Sequence, residues 1–385
     1  MPTKTTADVV IIGGGVIGCV TAYYLTLRGI KPVIVESEGI ATGASGFSGG
    51  ILTPYAASDN AKFIALGKPS LKLHEQLLKT LPEETGVDYG YDLRPILRCV
   101  FTDDGAKSLK KWAATRAGEG VTSDWLTPRQ AKSLTPWLTG DIIGALRTEC
   151  EPTIDSYRFT VAAMQSAESR GAKMVSARVA GLTEKSGKVK ARTAMGVLLA
   201  SGDTISSPHT VIATGPWSGE ASEWLGITVP VKPQKGEMVY MDLAHGGHPA
   251  PQVAINGWDT GGAITPKKLT ETIIGATRDD TTGFSRAQTP AARDSLIKQV
   301  SKLSSWVLDA KLVRHTACLR PYPADGLPFI GQVPGWDGAW VAAGHWSVGV
   351  HYSALTGKWL ADMIVDGKSS YDLSVMSASR MTKSA

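Results

Sequence analysis

The run Asp8 to Ile12 (DVVII) is apolar and β-branched, and it stops at a glycine. A short, wholly apolar stretch of that kind predicts a strand buried on both faces of a parallel sheet. From Gly15 to Gly29 small and apolar residues recur at helical spacing, and Lys31 to Glu36 (KPVIVE) is a second buried strand. Strand, helix and strand within about thirty residues make one βαβ unit. A more polar helical region follows over 58–85, with mixed sequence to 149. The pattern then predicts a helix over 157–170, a strand at Ala172–Val179, and a strand at Thr210–Ala213 that ends in Thr214-Gly215. From 226 to 317 polar and apolar positions alternate as in strands, interrupted by one helix over 290–303. Trp340–Ala343 is a last buried strand, Gly344–Gly349 a turn, and 351–366 a closing amphipathic helix. There is no internal repeat and no low-complexity linker, so the parallel-sheet pieces belong to one discontinuous domain carrying insertions.

Composition narrows the picture. The chain has 385 residues, of which 43% are hydrophobic and 19% charged, enough for two globular domains. Its net charge of +5 is spread among acidic residues instead of forming a basic face, which excludes a nucleic-acid binder and favours small anionic ligands. Cys19, Cys99, Cys150 and Cys318 lie far apart, with no metal-ligand spacing to the histidines, so neither a disulfide framework nor a metal site is expected. No stretch is long and apolar enough to span a membrane, and the first strand leaves no room for a leader, so a cytoplasmic location is expected. Homo-oligomerisation is left open.

The 42 glycines are uneven, and the chemistry begins where they crowd. Gly13-Gly14-Gly15-Val16-Ile17-Gly18 is a GxGxxG between a strand and a helix. Its first glycine makes the turn, the second admits a pyrophosphate to the helix N-terminus, and the third allows close helix–strand packing. Glu36, at the end of the second strand, suits a ribose diol. A purely structural glycine turn is the alternative, but strand, helix and acid in register favour a dinucleotide. The second small-residue loop, Thr42 to Ile51 (TGASGFSGGI), points to FAD over NAD, since a flavin needs backbone running flat beside it; a plain surface turn is the competing reading. Around Ala342 to Gly349 (AAGHWSVG) strand, turn and helix recur. A helix N-terminus there would stabilise the negative charge of a reduced flavin, whereas His345 taken alone reads as a core histidine.

These segments, with TVIATGPWSG at 210–219, VKPQKGEM at 231–238, IIGATRDDTTGF at 273–284 and LRPYPADGLPFIG at 319–331, resemble the glycine oxidase and D-amino-acid oxidase family of flavoproteins over almost the whole chain. The sarcosine oxidases are the next nearest plan. The resemblance implies FAD contacts from Gly13, Gly15, Val16, Ile17, Glu36, Ser37, Ala44, Ser45, Gly49, Gly50 and Ile51, from Val179 through its backbone, and from Thr214 and Gly215. It wraps His345, Trp346, Ser347, Val348, Gly349, Val350 and His351 around the flavin ring; no strong general base stands out, with His351 and Tyr322 the catalytic candidates left for that role. Arg320 falls on the family's carboxylate-binding arginine, a role suited to its planar fork; a structural salt bridge is the alternative. The chain departs from the glycine oxidase pattern where that pattern has a substrate-site tyrosine before an I-V-P-R-like tetrapeptide. Here Ala263 precedes Ile264-Thr265-Pro266-Lys267, and Ser347 replaces an arginine. Trp258 and Trp346 are candidates for the pocket wall or for plain core. Cys318, seven residues before Asp325, matches the cysteine that binds flavin covalently in sarcosine oxidases; an inert buried thiol is the default, so the FAD is expected to be non-covalent.

The implied fold is α/β: a Rossmann-type FAD-binding domain at 1–85, 150–222 and 316–371, an inserted α+β substrate-binding domain at 86–149 and 223–315, and a tail at 372–385. The implied reaction is oxidative deamination of an amino acid or a primary or secondary amine, with hydride passing from the α-carbon to flavin N5 and the imine hydrolysed. A 2-hydroxy-acid dehydrogenase of the same fold and a non-catalytic flavin-binding module are the rival readings.

Overall fold

The structure, a computed structural model, describes residues 4–55, 57–138, 140–149, 151–185, 191–249 and 251–383; Cys150 lies outside them. At its centre Val9–Ile12 pairs in parallel with Val33–Glu36 on one side and His209–Ile212 on the other. Lys173–Ser176 extends the sheet beyond the former and Ala339–Ala343 beyond the latter, while Phe329–Gln332 closes the edge antiparallel. The chain order reverses beside Val9–Ile12, so a crevice opens past the carboxyl end of that strand, the usual ligand position in such sheets.

Strand alternation divides the core. Val9 and Ile11 point to a helical layer formed by Val16–Thr26, Gly67–Thr85, Ser156–Ser169 and Gly349–Asp366. Val10 and Ile12 point the other way, onto a five-stranded sheet that includes Val179–Glu184 and Arg192–Leu199. Each such side chain taken fully from water contributes about 1.5–3 kcal/mol. Asp155 caps the helix at 156–169 by accepting from Arg158 N–H. The closing helix stops at Gly367, which takes the left-handed conformation (φ +69°). It lies so close to the nucleotide helix that a Cβ on Gly357 would sit 2.9 Å from the Val20 carbonyl carbon.

The second layer is an eight-stranded sheet ordered Lys311–Pro323, Val231–Asp242, Thr272–Gly275, Ala263–Thr265, Ala254–Gly257, Ile96–Val100, Gly144–Thr148 and Ser123–Leu126. Only the pair 254–257 and 96–100 runs parallel. Its back is covered by the helix Pro290–Ser301 through Leu296 and Val300. Lys311–Pro323 pairs with Val231–Asp242 from end to end, so a division at 316 falls inside a continuous strand. That strand leaves the far edge of the eight-stranded sheet and delivers its last residues to the crevice. Among the described residues, no helix is long and apolar enough to cross a membrane, and no His, Cys, Asp and Glu side chains group as metal ligands.

Candidate active site

A cavity of about 420 Å³ runs from the crevice past Val9–Ile12 to the inner face of the eight-stranded sheet. At one end the backbone leaves no room for side chains. Gly13 has φ +112°, and a Cβ there would stand 2.5 Å from the Ala213 carbonyl oxygen; at Gly18 it would meet Gly13 O at 2.1 Å. Gly15 is different: a Cβ would touch only Ser45 Oγ, at 3.1 Å, so this glycine keeps space open to the cavity. Ser45 Oγ accepts from Val16 N–H at 2.9 Å, tying the second loop to the positive end of the nucleotide helix. Glu36 accepts from Gly14 N–H and from Glu38 N–H, each at 2.7 Å, which fixes its carboxylate on the cavity wall.

At the other end the strand period sets which side chains face the space. Gln234 stands opposite Arg320 and Gly236 opposite Cys318 across the paired strands, with Met238 two residues on. Gly236, Met238, Cys318 and Arg320 line the cavity. The intervening residues Lys235, Glu237 and His315 face the opposite side. Arg320 Nη1 donates to Thr277 O at 3.0 Å, and no carboxylate among the described residues pairs with it. Gly236 makes room for the guanidinium, since a Cβ there would lie 2.3 Å from Arg320 Nη1. Burial draws the Arg320 pKa below the ordinary arginine value; Cys318 opposes the shift and the nearby charge of Arg278 adds to it. Burial also pushes the Cys318 thiol up, with Arg320 opposing, so the group stays a neutral thiol.

Trp346 forms the wall between the two ends. Its backbone has φ +45°, its indole N–H donates to Gln234 Oε1 at 2.7 Å, and Gln234 Nε2 donates to Asp280 at 2.7 Å. Tyr322 meets the indole edge-on at 5.0 Å, and the Arg278 guanidinium lies over the ring at 4.8 Å. Ser347 Oγ is buried without a hydrogen-bond partner in a residue that lines the cavity. Glycines that would collide if substituted, a fixed carboxylate, a helix N-terminus and an orphaned hydroxyl along one elongated space fit a flavin dinucleotide.

Every cofactor position expected from sequence lines this cavity except Val348, which packs into the helical core. His351 is also elsewhere. It is 1% exposed, and its ring faces His74 at 6.5 Å and the ring of Tyr352 at 4.9 Å. No side chain among the described residues hydrogen-bonds either ring nitrogen, with the Gly67 backbone the polar group nearby. Its position on the buried side of the closing helix turns it from the cavity, and burial followed by the proximity of His74 pulls its pKa down to about 3. A catalytic role through direct contact therefore does not fit His351. His345 lines the cavity, but its Nε2 lies 3.0 Å from Thr356 Oγ1 and burial lowers its pKa to about 3, so the ring is neutral. Ala263 lines the cavity, whereas Lys267 turns away: its ammonium donates to Gly49 O at 2.9 Å and Ile154 O at 2.8 Å, clamping the second glycine loop. Trp258 packs on Trp112 and donates to Ser108, outside the cavity. Gln234 and Arg278 were not anticipated. The alternation in Val231–Met238 is the signal that could have found Gln234; nothing local marks Arg278.

The model of the family described as FAD dependent oxidoreductase matches residues 8–363. A glycine oxidase of Geobacillus kaustophilus is 28% identical over 376 residues, covering 97% of each chain. A glycine oxidase of Pseudomonas aeruginosa is 29% identical over 368 residues, covering 92% of this chain and 94% of its own. The crystal structure of glycine oxidase from Geobacillus kaustophilus superposes with a TM-score of 0.89 at 27% identity, covering 98% of this chain and 99% of that one.

Proposed function

The chain belongs to the FAD dependent oxidoreductase family, and from that premise we propose that it deaminates an amino acid oxidatively, with Arg320 holding the carboxylate beside the reacting carbon. It is an FAD-dependent enzyme that acts on C–N bonds. The observation that carries the choice of an amino acid is the half-buried guanidinium of Arg320, which opens on the cavity with no carboxylate among the described residues to neutralise it. A desolvated, permanently charged fork is costly unless an anion arrives, and a carboxylate satisfies it bidentately.

Bound FAD supplies the acceptor for the hydride that leaves the substrate carbon. The glycine loops, Glu36 and Ser45 would hold its nucleotide half, and the segment 345–350 its ring. Arg320, anchored on Thr277 O, sets the substrate by its carboxylate. Cys318, Met238 and Ile273 line the space beside it and keep water from the reacting carbon. The carboxylates that line the cavity, Glu36, Glu38 and Glu220, stand with residues of the nucleotide end, and His345 is held neutral. With no base among the described residues at the substrate end, the amine enters uncharged, its lone pair assists hydride departure, and the imine released is hydrolysed in water.

The reading is tested by anaerobic mixing of the purified holoenzyme with amino acids and with the matching 2-hydroxy acids. Amino acids should bleach the flavin band. Reduction by hydroxy acids alone would move the reaction to C–O bonds, and no reduction by either would leave a flavin-binding module. We also expect acid precipitation to free all the flavin, since the thiol at Cys318 is neutral; flavin that stays with the protein and is lost in Cys318→Ala would show a covalent link. The three described cysteines, Cys19, Cys99 and Cys318, are free thiols, which supports a cytoplasmic location.

A further inference from the structure

Arg278 lines the same cavity as Arg320 yet is itself exposed, so it stands where the cavity meets solvent. Its guanidinium rests on the face of Trp346, an indole locked by Gln234 and, through it, by Asp280. The two carboxylates that follow it in the chain are engaged elsewhere. Asp279 accepts from Thr281 N–H and Oγ1 at 2.9 and 2.7 Å, and Asp280 takes the Gln234 amide. Among the described residues, no acid pairs with Arg278. Eight residues on, Arg286 makes the opposite choice, with both nitrogens of its fork on Glu38 at 2.8 and 2.9 Å. The chain thus pairs one arginine of this segment and holds the other, with no counter-charge, above the cavity that contains Arg320.

Two like charges facing one cavity repel each other unless anionic groups come between them or above each. Arg320 disposes of the carboxylate at the reacting carbon. Its exposed neighbour can take a second anion, since an aromatic platform leaves the guanidinium's edge N–H groups free to meet one. We propose that the substrate is an amino acid with a second carboxylate at the far end of its side chain, recognised by Arg278 at the cavity mouth while Arg320 holds the first. This rests on the amino-acid reading above and narrows it to dianionic substrates.

The test compares isosteric pairs that differ only in the distal charge: glutamate against glutamine and aspartate against asparagine, each as both enantiomers, in anaerobic flavin reduction by the holoenzyme. The wild type should favour the acid of a reactive pair. Arg278→Gln should cut that acid-to-amide ratio in kcat/KM about tenfold, the scale of one charge-assisted contact at a partly exposed site, and Arg278→Lys should restore part of it. A second readout needs no turnover: titration of the bound flavin's spectrum with glutarate and with its monoamide. Glutarate should bind more tightly to the wild type and lose that advantage in Arg278→Gln. An acid preference that survives Arg278→Gln, or acid and amide treated alike by the wild type, overturns the proposal. If only monocarboxylic amino acids reduce the flavin, the second carboxylate falls and the amino-acid reading stands. If no amino acid reduces it, that reading falls, and the glutarate titration still decides whether Arg278 takes an anion.

Discussion

The paired strands Val231–Asp242 and Lys311–Pro323 carry charge on both faces, and the two faces treat it oppositely. On the outer face Lys235 and Glu237, at 3% and 1% exposure, form an ion pair at 3.0 Å. Glu237 also accepts from Thr289 N–H and Oγ1, which caps the helix at 290–301, and His315 Nε2 lies 2.9 Å away without forming a hydrogen bond. Burial pushes the Glu237 carboxyl up, but the Thr289 N–H, Lys235 and the Thr289 hydroxyl outweigh it and hold its pKa below the usual value. On the inner face Arg320 has one backbone carbonyl and, among the described residues, no acid. One face is finished by the protein, and the other is left for a ligand to finish. A buried charge with its partner in the chain belongs to stability, and a half-buried one facing a cavity without an acid is a candidate for binding.

The contrast is easiest to break at Arg320. Arg320→Ala should lower kcat/KM by roughly 3–5 kcal/mol in transition-state terms, with flavin content and melting temperature nearly kept. A melting temperature that drops sharply instead would make Arg320 structural, like its outer neighbours. Glu237→Gln should do the reverse: about 2–3 kcal/mol of stability lost in a denaturant titration, because Lys235 stays buried without its acid, while the folded fraction keeps its kcat/KM. Loss of activity per bound flavin in that variant would join the two faces into one unit.

Buried imidazoles sharpen the same rule, because an unpaired histidine, unlike an arginine, can give up its charge. Burial brings His345 to about 3, His74 to about 4 and His351 to about 3. Their folded pKa values lie below the unfolded 6.5, so the folded state binds fewer protons as pH falls. The stability they allow is complete above 6.5 and is lost between there and about 3–4, on the order of 1–2 kcal/mol for each by pH 5. Denaturant midpoints measured from pH 7 to pH 5 should fall, and His74→Gln, which keeps a donor for Val350 O and His351 O, should flatten the slope. An equal slope in that variant would put the acid sensitivity elsewhere. The smallest effect is expected at Gly236→Ala, whose methyl would collide with the end of a flexible side chain and displace the Arg320 fork. A rise in KM of about tenfold or less, with little change in stability, is the expected signature.

What the sequence made legible is what local chemistry determines. Val9–Ile12, the turn at Gly13 and the helix after it follow from a run of β-branched residues and a glycine that no other residue could replace. Glu36 follows from its place at the end of the next strand. The side on which His351 lies is not legible, because the closing helix is buried from Val350 to Gly357 without interruption and its pattern names no cavity-facing side. Val348 lies in the turn before that helix, where no period marks which side chain faces the core. Arg278 looks like any arginine in a polar turn; what distinguishes it is its seat on Trp346 and the absence of an acid partner among the described residues. The lock on Trp346 joins residues 112 apart, and no local pattern records such a bond.

The walls of the cavity come from segments far apart in the chain: 12–17, 35–51, 213–217, 236–238, 273–278, 318–321 and 342–350. During synthesis the glycine turn at Gly13 emerges among the first residues. Its strand gains one parallel neighbour at once, the other only with residues 209–212, and the sheet's next strand only with 339–343. A nascent chain thus displays a nucleotide turn long before it owns the wall carried by Trp346. Lasting capture of the flavin is a late event on the ribosome or a step that follows release, and polypeptides arrested before residue 342 should emerge colourless.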